Sequence, residues 1–402
     1  MGVETLRKLT IIFHDAGGGH RSAADALGTV LTKQNIPWEV DLLNLQELLD
    51  SLDFARRLTG LRFQDVYNHI LRRGWTRLTP QLLSLFQKVI RLYHQAIVRA
   101  LKGYWLEHPT DLVLSVIPHF NRALAESLGG SRLRPPFVTL ITDLADYPPH
   151  FWIEKESEYV IAGTQRAKQQ ALDCGLASDH VFLTSGMVLK PSFYQRVVVD
   201  VASERQRLGL APDVPTGIVL FGGHGSRVMI DIVENLDRID SRLQLILLCG
   251  HNQDLAAKLR SLPTRNRIFV QEFTAHVEQF MALGDFFIGK PGPGSISEAL
   301  QMNLPVIVEC NSKTLPQERY NAEWLAENGF GTVVADFREI GACVADLLQP
   351  ANFDRLRRNV SAYSNRALLE VPQILDECWN AQWGLLRPEI PRVAAVGELA
   401  HV

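Results

Sequence analysis

One unit, occurring twice, constrains this chain more than any other feature: a short apolar strand that opens into a glycine-rich loop and then a helix. Residues 9–13 lead into Gly17-Gly18-Gly19 and a helical run from about Arg21 to Gln34. Residues 217–221 lead into Gly222-Gly223-His224-Gly225. Further short β-rich runs follow the first unit at 38–43, 111–116, 137–141, 159–162 and 181–183, and the second at 243–249, 268–270, 286–288, 306–308 and 331–334. Strands that alternate with helices imply a parallel sheet wrapped by helices. The expectation is two α/β domains in tandem, and 402 residues is more than one core usually organises. The boundaries expected are a first domain over 1–200, a second over 201–352, and a helix over 353–402 that packs back across the first domain and ends in a loose tail. Residues 190–215 have the turn residues and charge of a linker.

Charge and cysteine usage narrow the function classes. The net charge of −3 argues against a general nucleic-acid binder, but its distribution is uneven. Residues 54–105 hold ten Lys/Arg (Arg56, Arg57, Arg62, Arg72, Arg73, Arg77, Lys88, Arg91, Arg99, Lys102) against one acid, Asp65. That segment carries +9, which leaves −12 on the rest. The five cysteines, Cys174, Cys249, Cys310, Cys343 and Cys378, are scattered with no CxxC pair, as reduced thiols of a cytoplasmic protein are. The N-terminus has no signal-peptide pattern, and Leu6 stands where N-myristoylation wants Ser or Thr. No run approaches the ~20 apolar residues that span a bilayer, so membrane contact is expected to be peripheral.

Three loops hold residue types that do chemistry. In Asp15-Ala16-Gly17-Gly18-Gly19-His20-Arg21-Ser22 the glycines admit a ligand close to the backbone, and the helix start favours anionic groups. The bland alternative is a dinucleotide loop with Glu39 or Asp41 gripping a ribose. His20 is what such a loop does not need, and a neutral imidazole there can take a proton from a hydroxyl. A purely structural histidine is the other reading. The second loop is Gly289-Lys290-Pro291-Gly292-Pro293-Gly294-Ser295-Ile296-Ser297-Glu298, which is no Walker loop because Pro follows Lys290. Ser295 and Glu298 have capping-box spacing, while the glycines and prolines hold amides open to a diphosphate. The third is Pro316-Gln317-Glu318-Arg319-Tyr320-Asn321, where Gln317 and Asn321 fall one helical turn apart. Two amides so placed are suited to sugar hydroxyls, and alone they are more often a solvated face.

Together these motifs resemble the monogalactosyldiacylglycerol synthases and bacterial diacylglycerol glucosyltransferases, a family related to the lipid II-forming N-acetylglucosaminyltransferase. The likeness is carried by residues 15–27 and 289–300, by Ile141-Thr142-Asp143-Leu144, Gly222-Gly223-His224-Gly225 and Cys249-Gly250-His251-Asn252, and by residues 317–321; it covers most of 8–340. The resemblance implies a GT-B fold, with two facing Rossmann-like domains and a cleft between them. It implies an inverting transfer of galactose or glucose from a UDP-sugar to diacylglycerol. His20 matches the family's candidate base, and Gly18, Gly19 and Asp143 fall on the acceptor side. Donor contacts fall on Gly223, Phe273, Thr274, Lys290, Gly292, Gly294, Ser295, Glu298, Gln317 and Asn321. No cofactor or metal is implied, in keeping with the lack of an Asp-x-Asp motif. His224 and His251 depart from relatives at polar or basic positions.

The basic segment points to a surface. Leu82, Leu83, Leu85, Phe86, Val89, Ile90, Tyr93, Ile97 and Leu101 recur at near-helical spacing, with Lys88, Arg91 and Arg99 between them and Trp75 and Trp105 on the flanks. A basic amphipathic helix with aromatic ends is expected to dock on an anionic membrane surface, unless it packs on a core with a basic solvated face. The expected setting is the cytoplasm, on the inner face of the cell membrane. Rival readings are a UDP-sugar epimerase or hydrolase, a transferase acting on another lipid such as a polyprenyl-linked sugar, and a non-catalytic sugar-nucleotide binding protein.

Overall fold

A computed structural model describes residues 6–15, 18–33, 37–49, 79–129, 134–239 and 242–383, with the backbone alone for 33 and 79–92. The first sheet consists of β1 (Arg7–Phe13), β2 (Trp38–Asn44), β3 (Leu112–Ser115), β4 (Phe137–Leu140), β5 (Tyr159–Ala162) and β6 (Val181–Leu183). Its order is β2-β1-β3-β4-β5-β6, parallel throughout. The second consists of β7 (Thr216–Leu220), β8 (Gln244–Leu248), β9 (Arg267–Gln271), β10 (Phe286–Gly289), β11 (Val306–Glu309) and β12 (Gly331–Val334), also parallel, in the order β12-β11-β10-β7-β8-β9. Every strand expected from the sequence is present. β3, β4, β5, β7, β8 and β10 are buried along their whole length, as strands covered by helices on both faces must be.

Strand order fixes where a ligand can go. It reverses between β1 and β3 in the first sheet and between β7 and β10 in the second. At such a switch point the loops leaving the strands' carboxyl ends part and open a crevice. The glycine loop after β1 and the Gly289–Gly294 stretch after β10 both lie there. Gly250 shows how tightly the loops of the second sheet nest. It has φ +58°, and a Cβ on it would sit 2.2 Å from the Gly223 carbonyl, so only glycine fits.

The C-terminal stretch divides between the two sheets. The helix Pro350–Ala362 gives Leu356 and Val360 to the second sheet's cores. The helix Ala367–Trp383 lays Leu368, Val371, Leu375, Cys378 and Trp379 into the first sheet's core. The return thus begins after residue 362 and not at the expected 353, because the apolar face of 350–362 is already covered by the second sheet. Arg7, at the start of β1, clasps the returning helix: its guanidinium meets Asp376 at 2.9 Å and lies 3.8 Å over Trp379. Trp38 Nε1 donates to the same carboxylate at 3.1 Å. Leu375 is fully buried in this seam. Leu375→Ala should cost roughly 2–5 kcal/mol in urea denaturation; a loss below about 1 kcal/mol would make this helix a loose appendage.

Candidate active site

The acceptor-side loop begins where β1 ends. Gly18, at φ +80°, turns the chain so that His20 becomes the second residue of the helix Gly19–Lys33. Asp15 and Arg21 pair across the loop's mouth. His20 is half-buried, with Nδ1 3.1 Å from Thr142 Oγ1 and the Val116 carbonyl within hydrogen-bonding reach of its ring. Its ring meets His14 edge-on at 4.5 Å and lies 5.7 Å from Trp152. His14 leaves β1, and His119, at φ +70°, leaves β3, so the switch point brings three imidazoles together. Burial drives all three down, His14 and His119 to about 4 and His20 to about 3, helped for His20 by the nearby His14. All three are neutral at pH 7, and His20 is a weak base.

Asp143 stands on the loop after β4, one residue beyond the threonine that His20 touches. Its Oδ2 accepts from Trp152 Nε1 at 2.8 Å. Trp152 is fully buried and doubly fixed, its N–H given to Asp146 at 2.6 Å and its carbonyl accepting from Asn121 at 2.8 Å. Burial pushes Asp143 up to about 7, with Trp152 and Lys290 pulling against it and Glu318 and Asp146 adding to it. Lys290 follows β10 and Glu318 lies in the first turn of the helix Pro316–Glu327, both on the second sheet's side, so Asp143 faces the opposite wall of the cleft. Tyr147 and Tyr320 meet across the same cleft at 5.8 Å.

The donor-side loop departs from its expected capping. Pro293 occupies the first turn of the helix Pro293–Gln301, with Gly292 as N-cap and no side-chain cap bond. Ser295 therefore lies inside the first turn, its Oγ donating to the Gly292 carbonyl at 3.3 Å, and the Ser295–Glu298 box does not form. Proline's fixed φ puts the N-cap at Gly292, three residues ahead of Ser295. The half-buried Glu298 carboxylate makes no hydrogen bond to any described residue. Burial raises it to about 7 against the pull of Lys190. Lys290 Nζ donates to Glu318 at 2.7 Å, and that carboxylate keeps the lysine charged.

Gln317 and Asn321 share a helix face but differ in what they do. Asn321 is fully buried and donates through Nδ2 to the Pro291 carbonyl at 2.9 Å, which ties the loop to the helix Pro316–Glu327. Its Oδ1 and Gln317 Oε1 are buried without partners. Phe273, 55% exposed, stacks on His251 with ring centroids 4.0 Å apart, and Thr274 Oγ1 accepts from the His276 amide at 3.0 Å. The Gly223 carbonyl accepts from the His251 amide at 2.9 Å.

Of the surface residues, Trp75 lies outside the described residues, and Phe86, Lys88 and Arg91 lie on the helix Thr79–Glu107 where only the backbone is described. Arg99 is exposed. Trp105 differs from its expected role at the membrane: its Nε1 donates to buried Ser127 at 2.9 Å and its ring packs on the core cluster of Ile97, Leu101, Leu124 and Phe137. An indole can sink into protein as readily as into lipid once its N–H finds a partner. Leu106, beside it, is 86% exposed. His14, His119, Trp152 and Glu318 had no readable role in the sequence. The one signal available was that the first two stand just beyond strand ends. Since Ser295 caps nothing, Ser295→Ala should shift thermal unfolding by under about 0.5 kcal/mol, where a lost N-cap costs ~1 kcal/mol.

Comparison with known proteins agrees with this geometry. Residues 217–374 match the glycosyltransferase family 28 C-terminal domain. Monogalactosyldiacylglycerol synthase 1 of Arabidopsis thaliana is 27% identical over 371 residues, spanning 87% of this chain and 67% of that protein. The spinach (Spinacia oleracea) synthase is 25% identical over 359 residues, covering 86% and 67%. The crystal structure of Acinetobacter baumannii MurG superposes with a TM-score of 0.62 over 92% of this chain and 99% of that one, at 12% identity. The chain is thus a glycosyltransferase of the GT-B fold with a family 28 C-terminal domain, homologous to the monogalactosyldiacylglycerol synthases.

Proposed function

We propose that this enzyme transfers a hexose from a UDP-sugar to the free hydroxyl of diacylglycerol, inverting the anomeric carbon, at an anionic membrane surface on the cytoplasmic side. The observation that carries the reading is the shared cleft. Asp143, one residue from His20's partner Thr142, feels the charges of Lys290 and Glu318 on the opposite wall. An acceptor hydroxyl and a sugar diphosphate can therefore meet between them. The relatives' names favour galactose as the sugar and diacylglycerol as the acceptor, with glucose the near alternative.

Roles follow from chemistry at each position. The helix Pro293–Gln301 points its free amides, those of Gly294 and Ser295 included, toward an anion, and its dipole adds to them. Lys290 adds a full charge as the diphosphate leaves. No metal is needed for that step in this reading. Glu298 offers an unpartnered carboxylate to a ribose diol, Gln317 an amide to the sugar, and Asn321 holds the Pro291 carbonyl so that the loop keeps its shape. Phe273 and His251 form a flat exposed stack beside Thr274 that suits a uracil edge. Arg99 and Lys102, both exposed, and Leu106 supply charge and apolar surface at one end of the long basic helix.

Incubation with radiolabelled UDP-galactose or UDP-glucose, diacylglycerol vesicles and EDTA should yield a labelled lipid. Free sugar alone would favour a hydrolase, and a strict need for Mg²⁺ or Mn²⁺ would contradict the metal-free step. Glu298→Gln should weaken calorimetric UDP binding about 10–100-fold, the size of one hydrogen bond to a charged group. Unchanged affinity would remove Glu298 from the donor site. Replacing Lys88, Arg91 and Arg99 with Gln should lower co-sedimentation with anionic vesicles and lipid glycosylation together, leaving UDP binding unchanged. Normal glycosylation by that variant would return the segment to a structural role.

A further inference from the structure

The transfer needs a group that keeps the proton lost by the acceptor hydroxyl, and the geometry offers two candidates within one loop's width. His20 and Asp143 flank the same indole: Trp152 lies 5.7 Å from the His20 ring and donates its Nε1 proton to Asp143 Oδ2 at 2.8 Å. Thr142, which touches His20 Nδ1 at 3.1 Å, is Asp143's neighbour in sequence. Trp152 occupies only one of the two carboxylate oxygens, and Asp143 makes no other hydrogen bond to a described residue. The free oxygen belongs to a half-buried side chain on the wall that faces the donor loop.

Resting on the transferase reading above, we propose that Asp143 is the general base of the reaction, and that His20, with Thr142, is a positioning group that holds the acceptor hydroxyl in line. The acceptor O–H bond breaks toward the free oxygen of Asp143 as that hydroxyl oxygen bonds to the anomeric carbon. The bond between the anomeric carbon and the diphosphate oxygen breaks in the same step, and its electron pair leaves with UDP. Asp143 finishes as a neutral acid and gives its proton to water after the products leave.

Basicity ranks the two candidates the same way. A base works best when its pKa lies near the working pH. Burial takes Asp143 up to about 7, whereas burial and His14 take His20 down to about 3, where a proton would be held too weakly to draw it from an alcohol. The charged groups that face Asp143 are Asp146 on its own loop and Glu318 and Lys290 across the cleft. The two carboxylates hold its proton on, and the lysine favours the ionised form.

Asp143→Asn tests this without removing the acceptor for Trp152 Nε1, because the amide oxygen can replace the carboxylate oxygen. In the parent, kcat should fall as pH drops through about 7, since the base must be ionised. In Asp143→Asn, kcat should fall on the order of 10²–10⁴-fold, the acidic limb should vanish from the residual rate, and UDP affinity at pH 8 should stay within about threefold. His20→Asn should raise the acceptor KM and keep the acidic limb. The proposal is overturned if Asp143→Asn keeps parental kcat, or keeps the acidic limb while His20→Asn loses it. A parent enzyme that releases no UDP with any hydroxyl acceptor would sink the transferase reading, and this inference with it. Normal parental transfer with an unaffected Asp143→Asn variant would sink this inference alone.

Discussion

Everything at the cleft depends on the geometry of a parallel sheet at its switch point. Parallel strands send all their carboxyl ends to one edge, and where the strand order reverses the exit loops separate. In the first sheet this brings the ends of β1, β3 and β4 together, and with them His14, His20, His119 and Asp143. In the second it places the loops of β7 and β10 side by side. No helix or loop needs special design for these residues to converge. Their position just beyond a strand is enough.

The cleft's electrostatics follow from burial without dedicated counter-charges. Three imidazoles are neutral because water is kept from them and because charging one would oppose charging its neighbours. Two carboxylates, Asp143 and Glu298, are raised toward neutrality by the same desolvation, one on each wall. The ion pair of Lys290 and Glu318 acts on Asp143, whereas Lys190 and Glu278 act on Glu298. Perturbed groups that gather in a cleft are the usual mark of a working site.

Holding two walls in register takes a brace, and the returning helix provides it. The chain leaves the second sheet after Ala362 and lays the helix Ala367–Trp383 against the first. Arg7 and Trp38 both grip Asp376, so the edge of the first sheet and the last described helix are joined by charge as well as by apolar packing. Asn321 does a similar service on a smaller scale, fixing the donor loop through a backbone carbonyl.

The sequence alone determined the two sheets and all their strands, because the central strands, buried on both faces, appear as short apolar runs, and the edge strands repeat their spacing. It also marked His20, Lys290 and Glu298, since each stands in or directly after a run of glycines and prolines that has no other ready explanation. The capping box that its spacing allowed at Ser295 does not form, and Trp105 turns inward, both for local reasons. A proline two residues earlier starts the helix, and a serine distant in sequence, Ser127, accepts a hydrogen bond from the indole N–H. What only the tertiary structure decided is how residues far apart in the chain act on one another. Whether His20 or Asp143 is the stronger base depends on water exclusion, on Trp152 and on Lys290 and Glu318 from the other domain. Those are properties of distance and burial, which a linear order of residues does not contain.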